Sequence, residues 1–437
     1  MDSMPNKKKL HIAMFPWLDF GHMIPYLELA KLMAQKGHHI SFLSTPQNID
    51  YLPKLPPNLA SLIDLVKLPL PHVEKNNLPK DAKATIDVPY NKVPYLKKAY
   101  DAFKDSMARF LKDSHSNWLL YDFVPYWLPA SSIPNAFFNI FTAAGLSFIG
   151  SKAHLDKCKN LEDFAVPSSW VPFPTIVTLR FFRVMKIFQD NFSRDKFDVM
   201  ALFRFGKVLD GCDIVAVRSS MEFEPKWLRV LEDLHRKPVL PIGQLPPVVY
   251  DNGYETKTWV WTKDWLDKKA KGLVVYIAFG REAKPSQEVL IEIALGLKQS
   301  KLPFFLVIRT GQGQANTELT KLLEGFEERT KGRGLVWSSV VEALQFEKAL
   351  ILLTFYADQG INAKVLEEKH IGNKHDGSFI RNSMAKSLRL VMVEEVDKIY
   401  KDKAKEMKGM LGDRTSQDRY LDSFLDYLIS HLKNICT

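Results

Sequence analysis

A histidine follows a glycine, Gly21-His22, shortly after the first apolar run of the chain, LHIAMFPW. A neutral imidazole in that position is suited to taking a hydroxyl proton near pH 7. Such a base needs an orienting acid, and Asp122 stands directly after a second apolar run, NWLLY. Each residue also has an ordinary use. A loop histidine can cap or pack, and a strand-end carboxylate can cap a helix or close a salt bridge. In the second half of the chain, Ser338 and Ser339 precede the run VVEALQFEKA. A serine there starts a helix, and the unpaired amides behind it make an anion site. Ala357-Asp358-Gln359-Gly360 lies between an apolar run and INAKVLEEKH, where Asp358 and Gln359 either hydrogen-bond sugar hydroxyls or cap the next helix.

These residues can act only if strands and helices bring them to one place. LHIAMFPW reads as a buried strand, LDFGHMI as the loop that carries His22, and the segment after it as a helix with Pro25 in its first turn. Tyr26, Leu29, Ala30 and Met33 share one face of that helix, Gly37 ends it, and HHISFLST is the next strand. A strand-helix-strand unit of this length calls for a parallel sheet covered on both faces. NWLLYDF and NAFFNIF are further strands. Pro238, Pro241, Pro246 and Pro247 then favour an extended connector. Beyond it the pattern restarts with KGLVVYIAFG, LPFFLVIR, GLVW and LILLTFY as strands, SQEVLIEIALGLKQS and SSVVEALQFEKA as helices, and a helical tail from Asn382 to Lys433. The expectation is an α/β protein of two Rossmann-like, doubly wound parallel-sheet domains facing across a cleft. Residues 1–237 form the first domain, 238–267 the linker, and 268–437 the second domain with its C-terminal helices. Ligands bind at the carboxyl ends of such sheets.

The bulk numbers set limits. A chain of 437 residues exceeds one ordinary core, which supports two domains. The formal charge of +10 is spread over helical stretches in which lysines alternate with acids, so it describes a solvated basic surface that attracts small anions, with no nucleic-acid partner. Cys158, Cys212 and Cys436 are too scattered for a disulfide framework or a zinc site. No apolar run approaches the roughly 20 residues that cross a bilayer, so a cytoplasmic protein without integral membrane association is expected. Dehydrogenase, P-loop, hydrolase-elbow and zincin motifs are absent, as is a D-x-D pair to carry a divalent cation. No cofactor and no metal are expected.

The chain resembles the plant family 1 UDP-sugar glycosyltransferases from about Lys9 to Lys433. The resemblance rests on FPWLDFGHMIPYLELAKLMAQKGHHISFLSTPQNI, LLYDFVPYWLP, GCDIVAVRSSMEFEPKWL, YIAFGREAKPSQE and VVEALQFEKALILLTFYADQGINAKVLEEK, in the order the family has them. Within that family it is most similar to the subgroup that adds rhamnose or glucose to a sugar already on a flavonoid or terpenoid glycoside. The resemblance implies a GT-B fold and an inverting, metal-independent transfer by a monomer. In it His22 deprotonates the acceptor hydroxyl, Asp122 holds the imidazole, and UDP departs from the anomeric carbon. It also implies that Glu342 binds ribose, Ser339 contacts phosphate, Trp337-Ser338-Ser339 occupies the place of a Trp-Asn-Ser, and Asp358-Gln359 holds the donor sugar. Arg281 stands where the family has a small hydroxyl residue near the phosphates, and could bind or block them. Phe123, Phe141 and Phe188, with Phe173, Phe181, Phe182, Phe203 and Phe205, supply either an apolar acceptor wall or ordinary helix packing.

The departures are as informative. Here GLVW runs directly into SSVVEAL, where the family inserts a W-x-P-Q segment and a G-G-F-x-x-H-x-G-W segment. Half of the donor box is missing, with one strand and its connection. The second sheet must then leave a gap or pair differently. The connection LPASSIPNAFF after Asp122 is short by about a helical turn. Three readings stay open: an active glycosyltransferase, a non-catalytic relative that binds small molecules, and a sugar-nucleotide epimerase of the same architecture.

Overall fold

The computed structural model describes residues 8–71, 78–79, 82–131, 133–155, 160–179, 181, 184–185, 201–245, 264–269, 274–278, 285–307, 325–337, 350–352, 359–374, 380–392 and 397–432. The chain divides into two compact units. One comprises Met1–Pro174, Thr178–Pro247 and Asp413–Thr437, the other Thr175–Val177 and Val248–Gly412.

The first unit is built on strands β1 (His11–Phe15), β2 (His39–Ser44), β3 (Ile63–Lys67), β4 (Trp118–Tyr121), β5 (Asn135–Asn139), β6 (Ile214–Val217) and β7 (Val239–Pro241). They form one sheet in the order β3-β2-β1-β4-β5-β6-β7, with every pairing parallel. The central strands are apolar on both faces because helices cover both, and Ile12, Trp118, Ala136 and Ile214 share one buried core. The direction of winding reverses between β1 and β4, the topological switch point of an open α/β sheet. Register pairs Phe15 with Tyr121 there. The residues after these two strands, the loop leading to His22 on one side and Asp122 on the other, are therefore neighbours.

Three expectations need correction. Helix α1 runs Phe20–Gln35, so His22 lies in its first turn and not in a loop, and Pro25 is inside the helix. The cause is the cap. The Asp19 carboxylate accepts the Gly21 N–H at 2.6 Å, and the Asp19 carbonyl accepts those of His22 and Met23 at 2.9 and 2.8 Å, closing the turn ahead of Pro25. The stretch read as linker contributes β7, whose one proline, Pro241, is tolerated because it is an edge strand. The last helix, Arg414–Leu432, belongs to the first unit. Leu421, Phe424, Leu425 and Leu428 complete that unit's core, and the Trp118 indole donates to the Leu428 carbonyl at 3.0 Å.

In the second unit β8 (Val275–Ala278), β9 (Phe304–Val307) and β10 (Gly334–Trp337) form a parallel sheet in the order β10-β9-β8. A separate parallel pair joins β11 (Leu350–Leu352) to β12 (Gly372–Lys374). Helix Gln287–Ser300, started by the Ser286 hydroxyl on the Val289 N–H, packs with helix Arg381–Met392 over a core of Ile293, Leu297, Phe304, Leu306, Met384 and Leu388. A doubly wound sheet has the order 3-2-1-4-5-6. Strands 3-2-1 and the pair 5-6 are present, and among the described residues nothing fills the fourth place. That is the place of the strand missing from the sequence. The helix expected over SSVVEALQFEKA lies outside the described residues.

Candidate active site

Two strand ends meet at the switch point of the first unit, and a buried acid-imidazole pair sits there. His22 Nδ1 lies 2.7 Å from Asp122 Oδ2; the histidine is 8% exposed and the aspartate 1%. Both carboxylate oxygens have main-chain donors as well: Trp17 N–H reaches Oδ2 at 3.2 Å and Phe123 N–H reaches Oδ1 at 2.7 Å. A carboxylate held this way accepts from Nδ1, which selects the Nδ1–H tautomer and leaves the lone pair on Nε2. That nitrogen can take a proton from a hydroxyl, and Asp122 stabilises the imidazolium that results.

Aromatic rings surround the pair. Phe123 and Phe141 have centroids 5.8 and 5.4 Å from the imidazole. Phe205 stacks on Phe123 at 4.5 Å and 7° and approaches Phe141 at 5.9 Å. The result is an apolar wall on one side of a proton acceptor, which suits a flat apolar molecule bearing a hydroxyl. The other phenylalanines singled out in the sequence do not join it. Phe173 packs edge-on against Trp227 at 4.9 Å, Phe203 edge-on against Tyr126 at 5.9 Å, and Phe181 is exposed. Phe182 and Phe188 lie outside the described residues.

Two buried tyrosines frame the pair. Tyr26 on α1 donates to the Phe138 carbonyl at 3.0 Å, and Tyr100, in helix Val93–Asp101, donates to the Pro16 carbonyl at 2.9 Å. Burial, and then the charge of Asp122, push both hydroxyls well above the usual tyrosine range, so they remain donors at any ordinary pH. Trp17, Tyr100 and Arg204 were not found from the sequence, whereas Phe205 was among the phenylalanines offered for the wall. Trp17 acts through its main chain, which no residue pattern reveals. Tyr100 and Arg204 are remote from both motifs in the chain.

The candidate donor residues are less fully seen. Trp337 ends β10, its backbone paired with Val307, and Gln359 heads the helix Gln359–Glu368. Arg281, Ser338, Ser339, Glu342 and Asp358 lie outside the described residues. Among the described residues no helix is long and apolar enough to cross a membrane.

No protein-family model matches the chain. UDP-glycosyltransferase 91A1 of Arabidopsis thaliana is 47% identical over 458 residues, covering 97% of each chain. That span exceeds the 437 residues present here, so the relative carries residues with no counterpart in this chain. UDP-glycosyltransferase 91D2 of Stevia rebaudiana is 39% identical over 97% of this chain and 95% of its own. Soyasaponin III rhamnosyltransferase of Glycine max is 36% identical over 98% of this chain and 97% of its own. Among solved structures, a UDP-glucose: anthocyanidin 3-O-glucosyltransferase in complex with UDP superposes with a TM-score of 0.74 at 22% identity, covering 97% of this chain and 100% of that one. Phytolacca americana UGT2, complexed with UDP-2fluoro-glucose and pterostilbene, gives 0.71 at 21% identity, covering 97% and 100%. These structures share the two-unit GT-B fold. With near full-length identity of up to 47% to its curated relatives, the chain belongs to the plant UDP-glycosyltransferases.

Proposed function

We propose that the chain transfers a hexosyl group, rhamnose or glucose, from a UDP-sugar to a hydroxyl of a plant flavonoid or terpenoid glycoside, with inversion and without a metal or other cofactor. His22 takes the acceptor proton on Nε2 while Asp122 holds Nδ1. The freed oxygen attacks the anomeric carbon as its bond to UDP breaks. The observation that carries the reading is the 2.7 Å contact of His22 with a fully buried Asp122 beside Phe123 and Phe141. In this reading the first unit, with β7 and the last helix, binds the acceptor, and residues of the second unit hold the donor. Trp337, Ser338, Ser339, Glu342, Asp358, Gln359 and Arg281 serve the UDP-sugar, and Phe188 joins Phe123 and Phe141 on the acceptor. Relatives named soyasaponin III rhamnosyltransferase and mogroside IIIx synthase support a glycoside acceptor. The protein is read as a cytoplasmic monomer.

The test is UDP release from UDP-rhamnose and UDP-glucose with flavonol and triterpenoid monoglycosides as acceptors. Wild type turns over, and His22→Ala loses about 10²–10⁴ of the rate, the range of general-base catalysis. Turnover unchanged in His22→Ala overturns the assignment of the base.

A second reading, a relative that binds small molecules without turning them over, is favoured by one observation: the described strands of the second unit fall into two groups, and the donor box is short between them in the sequence. Calorimetry with UDP separates the two. Micromolar binding supports the transferase; no binding at millimolar UDP supports the second reading.

A further inference from the structure

Arg204 is the only arginine among the largest side chains that are fully buried in the described residues, at 1% exposure. It lies in helix Ala201–Gly211. Its two terminal nitrogens reach Asp101 Oδ1 and Oδ2, each at 2.7 Å, in a fork-to-fork pair. One of them also donates to the Val124 carbonyl at 2.8 Å, and the guanidinium lies 5.0 Å over the Tyr126 ring. Burying an ion pair costs several kcal/mol in desolvation, and well-packed apolar residues often give equal or better stability. What an apolar residue cannot give is a fixed direction for the Val124 carbonyl. Val124 comes two residues after Asp122 in the chain, and Phe205, adjacent to Arg204, stacks on Phe123. The same helix thus grips main chain and side chain immediately after the orienting acid.

The other end of the pair is anchored from the same place. Asp101 ends helix Val93–Asp101, and the residue before it, Tyr100, holds the Pro16 carbonyl at 2.9 Å. Pro16 precedes Trp17, whose N–H meets Asp122. Adjacent residues of one helix end therefore fix both loops that build the pair, Tyr100 the loop after β1 and Asp101, through Arg204, the loop after β4. The ionisable groups around Asp122 are His22 and Tyr26 from α1, Tyr100 and Asp101 from the helix Val93–Asp101, and Arg204.

We infer that Arg204 is a positioning residue for the transfer reaction: held by Asp101, it fixes the Asp122-Phe123-Val124 segment so that Asp122 keeps His22 in its working tautomer. The inference rests on the reading of His22 as the base. Its test is made on the full chain with Arg204→Lys, which keeps the charge but loses the fork, and Asp101→Asn, which weakens the anchor. Arg218→Lys, at a half-buried arginine whose Nε donates to the Gln244 carbonyl at 2.9 Å, is the control. Nitrogen-15 histidine spectra of the resting protein read the His22 Nδ1 proton, assigned by its loss in His22→Gln. The proton is expected to be sharp in wild type and Arg218→Lys, and lost to water exchange in Arg204→Lys and Asp101→Asn. In those two variants kcat with UDP-glucose and a flavonol monoglucoside falls about tenfold, close to 1.4 kcal/mol of barrier, with KM little changed. An Nδ1 proton and kcat retained in a folded Arg204→Lys overturn the inference, as does equal loss in Arg204→Lys and Arg218→Lys. If Arg204→Lys does not fold, Asp101→Asn decides on the same readouts. Unchanged kcat in His22→Gln sinks the assignment of the base instead, while the Nδ1 signal still decides the role of Arg204.

Discussion

The two units follow the same plan and differ in one respect. In the first, a single sheet runs unbroken through its switch point, and both loops leaving that point are tied by buried donors: Tyr100 to Pro16, Arg204 to Val124, Trp17 and Phe123 to Asp122. In the second, the described strands form a three-stranded sheet and a separate pair. A parallel strand is supplied by a crossover from elsewhere in the chain, so a deletion that removes one removes it from the middle of the sheet, where no edge strand can substitute. The place lost is the neighbour of the first strand, which is where an open α/β sheet builds its ligand site. Among the described residues, a continuous sheet therefore lies on the side of the base and separated strands on the side proposed for the donor.

That contrast can be broken or sharpened by experiment. The largest effect is expected at the centre of the first unit, where Trp118→Ala removes a fully buried indole and its bond to the Leu428 carbonyl. A loss of about 3–5 kcal/mol in denaturant unfolding is expected, and a loss under 1 kcal/mol would show that the last helix contributes little to this unit. Next in size is a graft: inserting the corresponding segment of the Arabidopsis relative between Trp337 and Ser338 should tighten UDP binding by about a hundredfold, roughly 2.8 kcal/mol by calorimetry. If the graft leaves UDP affinity unchanged, the split sheet is not what limits the donor site.

The smallest effect is a pH dependence. Burial, with Lys237 and His154 nearby, lowers the His235 imidazole from 6.5 to about 4, and its Nε2 has no hydrogen-bond partner among the described residues. The folded pKa is below the unfolded one, so the unfolded chain binds the proton first. The contribution of neutral His235 is present above pH 6.5 and is lost as pH falls toward 4. His235→Phe should flatten that limb of the stability curve by about 1–2 kcal/mol, read from melting temperatures at pH 7 and pH 5. An acid limb unaltered in the variant would assign it to other groups.

Much of this was legible in the residues. The strand-helix-strand start, the four apolar positions on one face of α1, and the strands ending before His22 and Asp122 all follow from periodicities that a local segment imposes on itself. So did the short donor box, because a missing segment is visible wherever its flanks are. Where α1 starts was harder, since a proline suggested a later first turn and the competing signal, the Asp19 cap, is a single side chain.

By itself, the sequence determined the α/β class, the two-part organisation, the place of His22 and Asp122 at strand ends, and the short donor box. Only the tertiary structure decided that Arg204 meets Asp101 and Val124, that Tyr100 holds Pro16, and that the last helix returns to the first unit. The reason is range. Spacing encodes which residues share a face over a few turns, whereas a bond between groups 103 residues apart depends on which surfaces the rest of the fold has left to be covered.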